Sequence, residues 1–234
     1  MAKVIIFTGA GISAESGIAT FRDSDGLWSN HRVENICSAD SLQRNRAETI
    51  AFYDQRRIEL KEAEPNHAHR MIQQLQARYP KEIVLITQNV DDLFEKAGCE
   101  SVLHLHGFLT EVRCEGCGYL QDIGYHTLEE VGEQCPHCAT LLRPNVVFFG
   151  EPAPRYQQLT EQMASCDYLV IIGTSGAVIN MDMYLYDRSI TAILNNLEPS
   201  EMINTELYHK VYYTRATEAI DEIVEEIEAF LDRP

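Results

Sequence analysis

Four of the seven cysteines fall into two close pairs, Cys114-Glu115-Gly116-Cys117 and Cys135-Pro136-His137-Cys138. Positions 118–134, 17 residues, lie between them. Two such pairs at this separation have the spacing of a four-cysteine zinc site. Each tight turn sets two thiolates on one side, and Gly116, Gly118 and Pro136 supply the turn chemistry. Four thiolates fill a tetrahedron and leave no position for water, so the metal would be structural. A redox dithiol is the other chemistry such pairs support. His137 could compete as a ligand, but the four sulfurs suffice. Cys37, Cys99 and Cys166 read as small buried hydrophobes. An odd cysteine count argues against a disulfide framework.

A second constellation begins at residue 9. An apolar, β-branched run over 3–7 leads into Gly9-Ala10-Gly11-Ile12-Ser13-Ala14. A buried strand followed by GxGxxA has the physics of a dinucleotide site. Glycines let the backbone turn tightly and approach a pyrophosphate, and a following helix N-terminus favours the anion. The standard fingerprint also needs an acidic ribose ligand about 20 residues on. Here that region is Phe21-Arg22-Asp23-Ser24-Asp25-Gly26-Leu27-Trp28, a polar loop. The ribose end must therefore come from elsewhere.

The elements that position these groups are legible in outline. Apolar runs at 83–87 and 168–172 read as buried parallel strands, 101–106 and 192–194 as shorter ones, and 146–149 as a return to the α/β pattern. Amphipathic helices are expected over 47–60, with Ile50, Tyr53 and Ile58 inward, and over 66–79, with Ala68, Met71, Ile72 and Leu75 inward. A last helix over 216–231 carries Ile220, Ile223, Ile227 and Phe230 on one face. Three strand ends are polar: Gln88/Asn89/Asp91, His106 and Thr174/Ser175. Ligands of open α/β sheets collect beyond the carboxyl ends of strands. Each cluster also has a plainer reading, such as Asp91 capping a helix. Spacing alone does not give the reaction.

Composition narrows the classes. Nineteen Lys and Arg against 36 Asp and Glu give a net charge of −17. Phosphate backbones repel such a chain, so bulk nucleic-acid binding is excluded, and cationic, Lys-rich partners are favoured. The apolar runs are too short for a membrane span. No basic segment followed by a long apolar stretch opens the chain, and a cytoplasmic location is expected. Hydrophobic residues at 45% allow a sizeable core.

Residues 9–18, Phe21-Arg22, Gln88-Asn89-Val90-Asp91, His106-Gly107, the two cysteine pairs, Phe149-Gly150-Glu151, Gly173-Thr174-Ser175 and Asn196-Leu197-Glu198-Pro199 together resemble the sirtuin family of NAD-dependent protein deacylases. They occur in the family's order over nearly the whole chain. The resemblance implies an α/β fold: a Rossmann-like parallel sheet with helices on both faces, plus a small zinc-ribbon and helical lobe. The sheet domain would be discontinuous (1–30, 67–106 and 145–234), with a helical insert at 31–66 and a zinc-binding segment at 107–144.

It also implies the site. NAD would be held by Gly9, Ala10, Gly11, Ile12, Ser13, Glu15, Ile18, Phe21, Arg22 and Trp28. Gln88, Asn89, Val90 and Asp91 would line the nicotinamide pocket. Gly173, Thr174 and Ser175 would meet ribose and phosphate; Asn196, Leu197 and Glu198 would hold the adenosine ribose, and Ala216 the adenine. Phe149, Gly150, Glu151, Gly176 and Val178 would sandwich an acyl-lysine peptide by β-augmentation. Cys114, Cys117, Cys135 and Cys138 would bind Zn(2+). His106 and Asn89 would be catalytic. The acyl oxygen attacks C1′ of the nicotinamide ribose, nicotinamide leaves, and His106 acts as general base on a ribose hydroxyl. That hydroxyl would attack the imidate carbon and water would complete the transfer, giving free lysine and O-acyl-ADP-ribose. The oligomeric state stays open, and a monomer is compatible.

Tyr53 and Arg56 resemble the Tyr-x-x-Arg pair of class III sirtuins, which recognise acidic acyl groups such as succinyl and malonyl. Residues i and i+3 share a helix face, and Arg grips a carboxylate with two parallel hydrogen bonds. The plainer reading is a solvated helix bearing Arg56 and Arg57. The chain departs from the family pattern at Ala19, Asp92, Phe94 and Asn180. The rival function is an NAD-sensing or ADP-ribosylating protein with weak deacylase activity.

Overall fold

The computed structural model describes residues 3–19, 36–186 and 189–233. Phe21, Arg22 and Trp28 lie outside the described residues. The strands are β1 (Val4–Thr8), β2 (Ile83–Thr87), β3 (Leu103–His104), β4 (Gly107–Cys114), β5 (Leu120–Asp122), β6 (Leu142–Val146), β7 (Tyr168–Ile172), β8 (Thr191–Asn196) and β9 (Lys210–Tyr213). The α-helices are α1 (Ser41–Arg44), α2 (Arg46–Glu62), α3 (His67–Arg78), α4 (Leu93–Ala97), α5 (Leu128–Val131), α6 (Tyr156–Met163) and α7 (Ala216–Leu231).

Six strands form a parallel sheet in the order β3-β2-β1-β7-β8-β9. β1 is central and buried along its whole length because the sheet is covered on both faces. Val4 and Ile6 pack with Ile72 and Leu75 of α3 and Ile220, Ile223 and Ile227 of α7. Ile5 and Phe7 pack on the other face with Leu159 and Met163 of α6. Connections leave β1 and β7 toward opposite edges, so their carboxyl ends flank the switch point where such sheets bind ligands.

β5-β4-β6 form a separate antiparallel sheet carrying the cysteine pairs. The segment 146–149 corrects the sequence reading. Val146 pairs with Gly107 in this second sheet, and Phe149 bridges Ser38, so it is no strand of the parallel sheet. Ile58 is a second correction: it is 45% exposed. The inward face of α2 instead carries Thr49, Phe52, Tyr53, Asp54, Arg57 and Leu60. Arg57 is fully buried, donating to Asp54 and to the carbonyls of Leu109 (3.3 Å) and His126 (3.0 Å), which contradicts a solvated Arg56-Arg57 face.

Several departures from the family pattern have local reasons. Asn180 caps the short 3-10 turn Met181–Tyr184 by accepting from the Asp182 amide at 2.9 Å. Its amide group donates to the Met202 carbonyl at 2.6 Å. Phe94 is buried edge-on against His69, with ring centroids 4.8 Å apart. Asp92 accepts from the Tyr125 hydroxyl at 2.5 Å.

Candidate active site

The glycine-rich loop is built against β7 rather than into an α-helix. Among the described residues, Ala10–Ile12 and Ala14–Ser16 are 3-10 turns, which corrects the expected strand–loop–helix. Gly11 donates its amide to the Gly173 carbonyl at 2.9 Å, and Gly9 donates to Ile172 at 2.9 Å. A Cβ on Gly9 would lie 2.7 Å from the Gly173 oxygen; one on Gly11 would lie 2.6 Å from Gly173 Cα. Gly173 itself has φ +67°, and its Cβ would lie 2.5 Å from the Ile12 nitrogen. Loop-to-loop packing at the switch point therefore already requires all three glycines.

Three further anchors hold this loop. Asn66, the N-cap of α3, donates to the Ile12 carbonyl at 2.7 Å. Asn89 donates to the Gly9 carbonyl (3.1 Å) and to Ser13 Oγ (3.0 Å). The Glu15 carboxylate accepts from the Thr217 amide (3.1 Å) and hydroxyl (2.8 Å). A carboxylate there suits the positive end of α7. Ala216, beside it, is buried.

The polar strand ends converge on this loop. Ser13 donates to Asp91 Oδ2 at 2.9 Å, and the Leu93 amide donates to Oδ1 at 3.3 Å. Burial pushes the Asp91 carboxyl above its ordinary pKa, with Ser13 and Leu93 opposing. Gln88 donates to Thr174 Oγ1 at 3.0 Å. Asn196 exchanges two hydrogen bonds with Thr174, at 3.0 and 2.8 Å, which joins β8 to the end of β7. Leu197 and Glu198 are exposed beyond it. Ser16 Oγ is buried without a partner among the described residues, so the loop retains a hydroxyl that a ligand could satisfy. These hydroxyls, carboxamides and backbone amides, with the Asp91 carboxyl beside them, fit the hydroxyls, phosphates and carboxamide of a dinucleotide.

His106 follows β3. One ring nitrogen, Nδ1, lies 3.0 Å from the Gln88 carbonyl, and Nε2 lies 2.7 Å from the Tyr156 hydroxyl. A carbonyl only accepts, so Nδ1 carries the proton and Nε2 is the basic atom. Burial lowers the His106 pKa, against a smaller opposite effect of the Gln88 carbonyl. Sequence reasoning missed Tyr156, which lies 50 residues away with no pattern connecting it to His106.

The segment at Phe149 has one edge occupied. Its amide donates to the Cys37 carbonyl (2.7 Å), and its carbonyl accepts from Ala39 (2.8 Å). The Phe149 and Val178 side chains are 50% and 56% exposed on the surface. Gly150 is exposed, and Gly176 has φ +75° beside Ile203. The Glu151 carboxylate faces inward, toward Arg143, Arg113 and the Phe148 amide. Those partners hold its pKa below the usual range despite burial.

Tyr53 and Arg56 lie one turn apart on α2. The Tyr53 ring stacks on Phe148 at 5.3 Å, and its hydroxyl donates to Cys37 Sγ at 3.3 Å. The Arg56 side chain is 12% exposed, 3.9 Å from Glu59, and feels the charge of Asp91. Burial lowers its pKa, and the acidic neighbours oppose this.

The four sulfurs of Cys114, Cys117, Cys135 and Cys138 lie within 4.8 Å of one another, as a tetrahedral thiolate site requires. Amides of Gly116 and Cys117 point at Cys114 Sγ, and that of His137 at Cys135 Sγ. The His137 ring instead rests on Tyr119, with centroids 4.3 Å apart, and is no member of the cluster. Cys37, Cys99 and Cys166 are buried, and burial raises their pKa to about 11, 12 and 12.

Fold and site thus define an α/β protein with a glycine-rich loop at the switch point of its parallel sheet and a four-cysteine ribbon beside it. A model of the Sir2 family matches residues 9–180. A protein of Campylobacter jejuni (strain RM1221) named NAD-dependent protein deacylase is 43% identical over 233 residues, covering 99% of this chain and 98% of its own. One of the same name from Escherichia coli (strain K12) is 37% identical, covering 96% and 82%. The structure of a Sir2 homologue with ADP-ribose superposes with a TM-score of 0.88 at 32% identity, covering 99% of this chain and 94% of the other. A Sir2 homologue–NAD complex gives 0.86 at 32%, covering 98% and 91%. The chain belongs to the Sir2 family.

Proposed function

We propose that this protein is an NAD-dependent protein-lysine deacylase that releases nicotinamide, O-acyl-ADP-ribose and free lysine. The observation that carries the reading is the convergence of Asn89 and Asp91 on the glycine-rich loop at the switch point of the sheet, with Thr174 and His106 joined to the same strand end through Gln88. The domain division is taken as expected from the sequence, except that 146–149 go with the second sheet and its bridge to Ser38.

Bound NAD supplies the ribose that accepts the acyl group. The protein's own groups then have distinct tasks. Neutral His106, unprotonated at Nε2, removes a proton from a ribose hydroxyl. Asn89 and Asp91 orient the nicotinamide carboxamide, with Asp91 accepting a hydrogen bond from it. Thr174, Ser175 and Asn196 hold ribose and phosphate. The segments at 149–151 and 176–178, exposed at Phe149, Gly150, Ala177 and Val178, take the peptide backbone between them. The four cysteines hold a structural zinc that fixes the ribbon and takes no part in the chemistry.

Acyl preference extends to succinyl and malonyl groups through Tyr53 and Arg56. The half-buried Arg56 guanidinium supports this, because a chain of charge −17 needs a local cation to accept an anionic acyl group. For Arg56→Met, kcat/KM on succinyl-lysine peptide falls at least tenfold, roughly one charge-assisted bidentate contact, while acetyl-lysine turnover is spared. An equal loss on both substrates overturns the assignment. Nicotinamide release should depend on acyl-lysine peptide; release without it would favour an NAD-sensing or ADP-ribosylating protein.

A further inference from the structure

Tyr156 opens α6, eight residues long, and has no place in the glycine-loop, strand-end or cysteine patterns. Its hydroxyl nevertheless lies 2.7 Å from His106 Nε2, with ring centroids 5.8 Å apart. The placement is fixed from two sides. Leu159 and Met163 of the same helix are buried in the core beneath the sheet. Arg155, immediately before Tyr156, donates to the carbonyl of His104 at 2.8 Å, two residues before His106. The tyrosine is thus tied to the same strand end as the histidine it touches.

We propose that Tyr156 is a positioning residue for His106: its hydroxyl hydrogen-bonds Nε2, orients the imidazole and holds it in the tautomer protonated on Nδ1. The proposal rests on the deacylase reading only for its catalytic consequence. The structural part stands on the two contacts, Gln88 carbonyl at Nδ1 and Tyr156 hydroxyl at Nε2. A donor on one nitrogen and an acceptor on the other specify a single tautomer and ring orientation. No proton moves in the resting pair. Burial raises the Tyr156 pKa, so the phenol stays protonated and donates, and burial lowers that of His106, so the ring stays neutral and accepts.

The neighbouring charged groups are engaged elsewhere. His104 faces Glu95 and the Asn89 carbonyl, Arg155 faces the His104 carbonyl, and Asp91 faces Ser13 and Leu93. The phenol is therefore the polar side chain in direct contact with Nε2 among the described residues. A hydrogen bond donated to the neutral imidazole favours it over the imidazolium. Tyr156 thus keeps the resting His106 neutral at lower pH than the ring would be without it; Nε2 has one lone pair, so the phenol gives way to the ribose hydroxyl when the base acts.

The test uses the full chain without ligand, followed through the imidazole 15N and 13C signals of His106. Tyr156→Phe keeps the ring and removes the donor. The expected result is a higher proton affinity for His106, roughly three- to tenfold, the size of one ordinary hydrogen bond. The Gln88 carbonyl still accepts from Nδ1–H, so the tautomer should persist in the neutral ring. The acidic limb of kcat/KM for acyl-peptide should move to higher pH by the same factor, while the NAD Kd is unchanged. A ring-fluorinated tyrosine at 156, a stronger donor, should shift the titration the opposite way. An unchanged titration in both variants would overturn the proposal. A shifted titration in a protein without deacylase activity would leave Tyr156 its role and count against the proposed reaction instead.

Discussion

Alanine at Gly173 strikes the interlock of the two loops twice. Its φ of +67° puts an L-residue in the left-handed region, and the new Cβ would sit 2.5 Å from the Ile12 nitrogen and 2.7 Å from Gly11 Cα. The first effect costs about 1–2 kcal/mol and the second, an overpacked contact between two backbones, about 1–3 kcal/mol. Two sister variants separate them. Gly17→Ala has φ +83° with nothing within 4 Å among the described residues, and carries the strain alone. Gly11→Ala has no positive φ and carries the clash alone, 2.6 Å from Gly173 Cα. The expected destabilisation is therefore about 2–5 kcal/mol for Gly173→Ala, and less for each of the others. Urea unfolding measures it, and at this chain length each kcal/mol lowers Tm by about 2–4 °C. Because the strain at Gly17 lies away from the interlock, NAD affinity should fall for Gly11→Ala and Gly173→Ala more than for Gly17→Ala. If Gly17→Ala proves the most damaging of the three, or Gly11→Ala is silent in both assays, the interlock is not what these glycines serve.

The raised carboxyl pKa of Asp91, caused chiefly by burial, makes the ionised group destabilising at neutral pH. Asp91→Asn should therefore raise Tm while lowering deacylase turnover; a lower Tm with full activity would show that the carboxylate is only a structural group. His69 is buried with its pKa lowered to about 4 from 6.5. Its unfolded form binds the extra proton, so stability is lost as pH falls from 6.5 toward 4, by about 3 kcal/mol at the lower end. His69→Leu should flatten that slope in urea titrations across the window, and an unchanged slope would refute the assignment. The ribbon's own core is small and includes Cys114 and Cys135 themselves. Chelation should therefore open 115–141 to proteases while the parallel sheet survives, and a ribbon that resists digestion without metal would contradict a folding role for zinc.

What could be read in the sequence follows from burial. β1, β2 and β7 are covered on both faces, so they are continuous apolar runs, and the stripes on α3 and α7 match their buried faces. The cysteine pairs were legible because the spacing itself is the signal. β9, Lys210–Tyr213, sits at the sheet edge with no residue fully buried and left no comparable run. The segment at 146–149 looked like a parallel strand because its apolar residues serve the second sheet and a bridge to Ser38. On α2 the inward face carries Asp54 and Arg57, a buried ion pair, so hydrophobicity pointed to Ile58 instead. The glycines were legible, but not their shared reason, since Gly11 and Gly173 meet only in three dimensions. Tyr156 was invisible for the same cause: its partner His106 lies across the fold.

The most direct measurement follows mass balance in one tube: acyl-lysine peptide, NAD and the full chain, read by mass spectrometry, with His106→Tyr as control. The account expects deacylated peptide, nicotinamide and O-acyl-ADP-ribose in equal amounts from the wild type, and none from the variant. NAD consumption with the peptide left acylated, or undiminished deacylation by His106→Tyr, would contradict it.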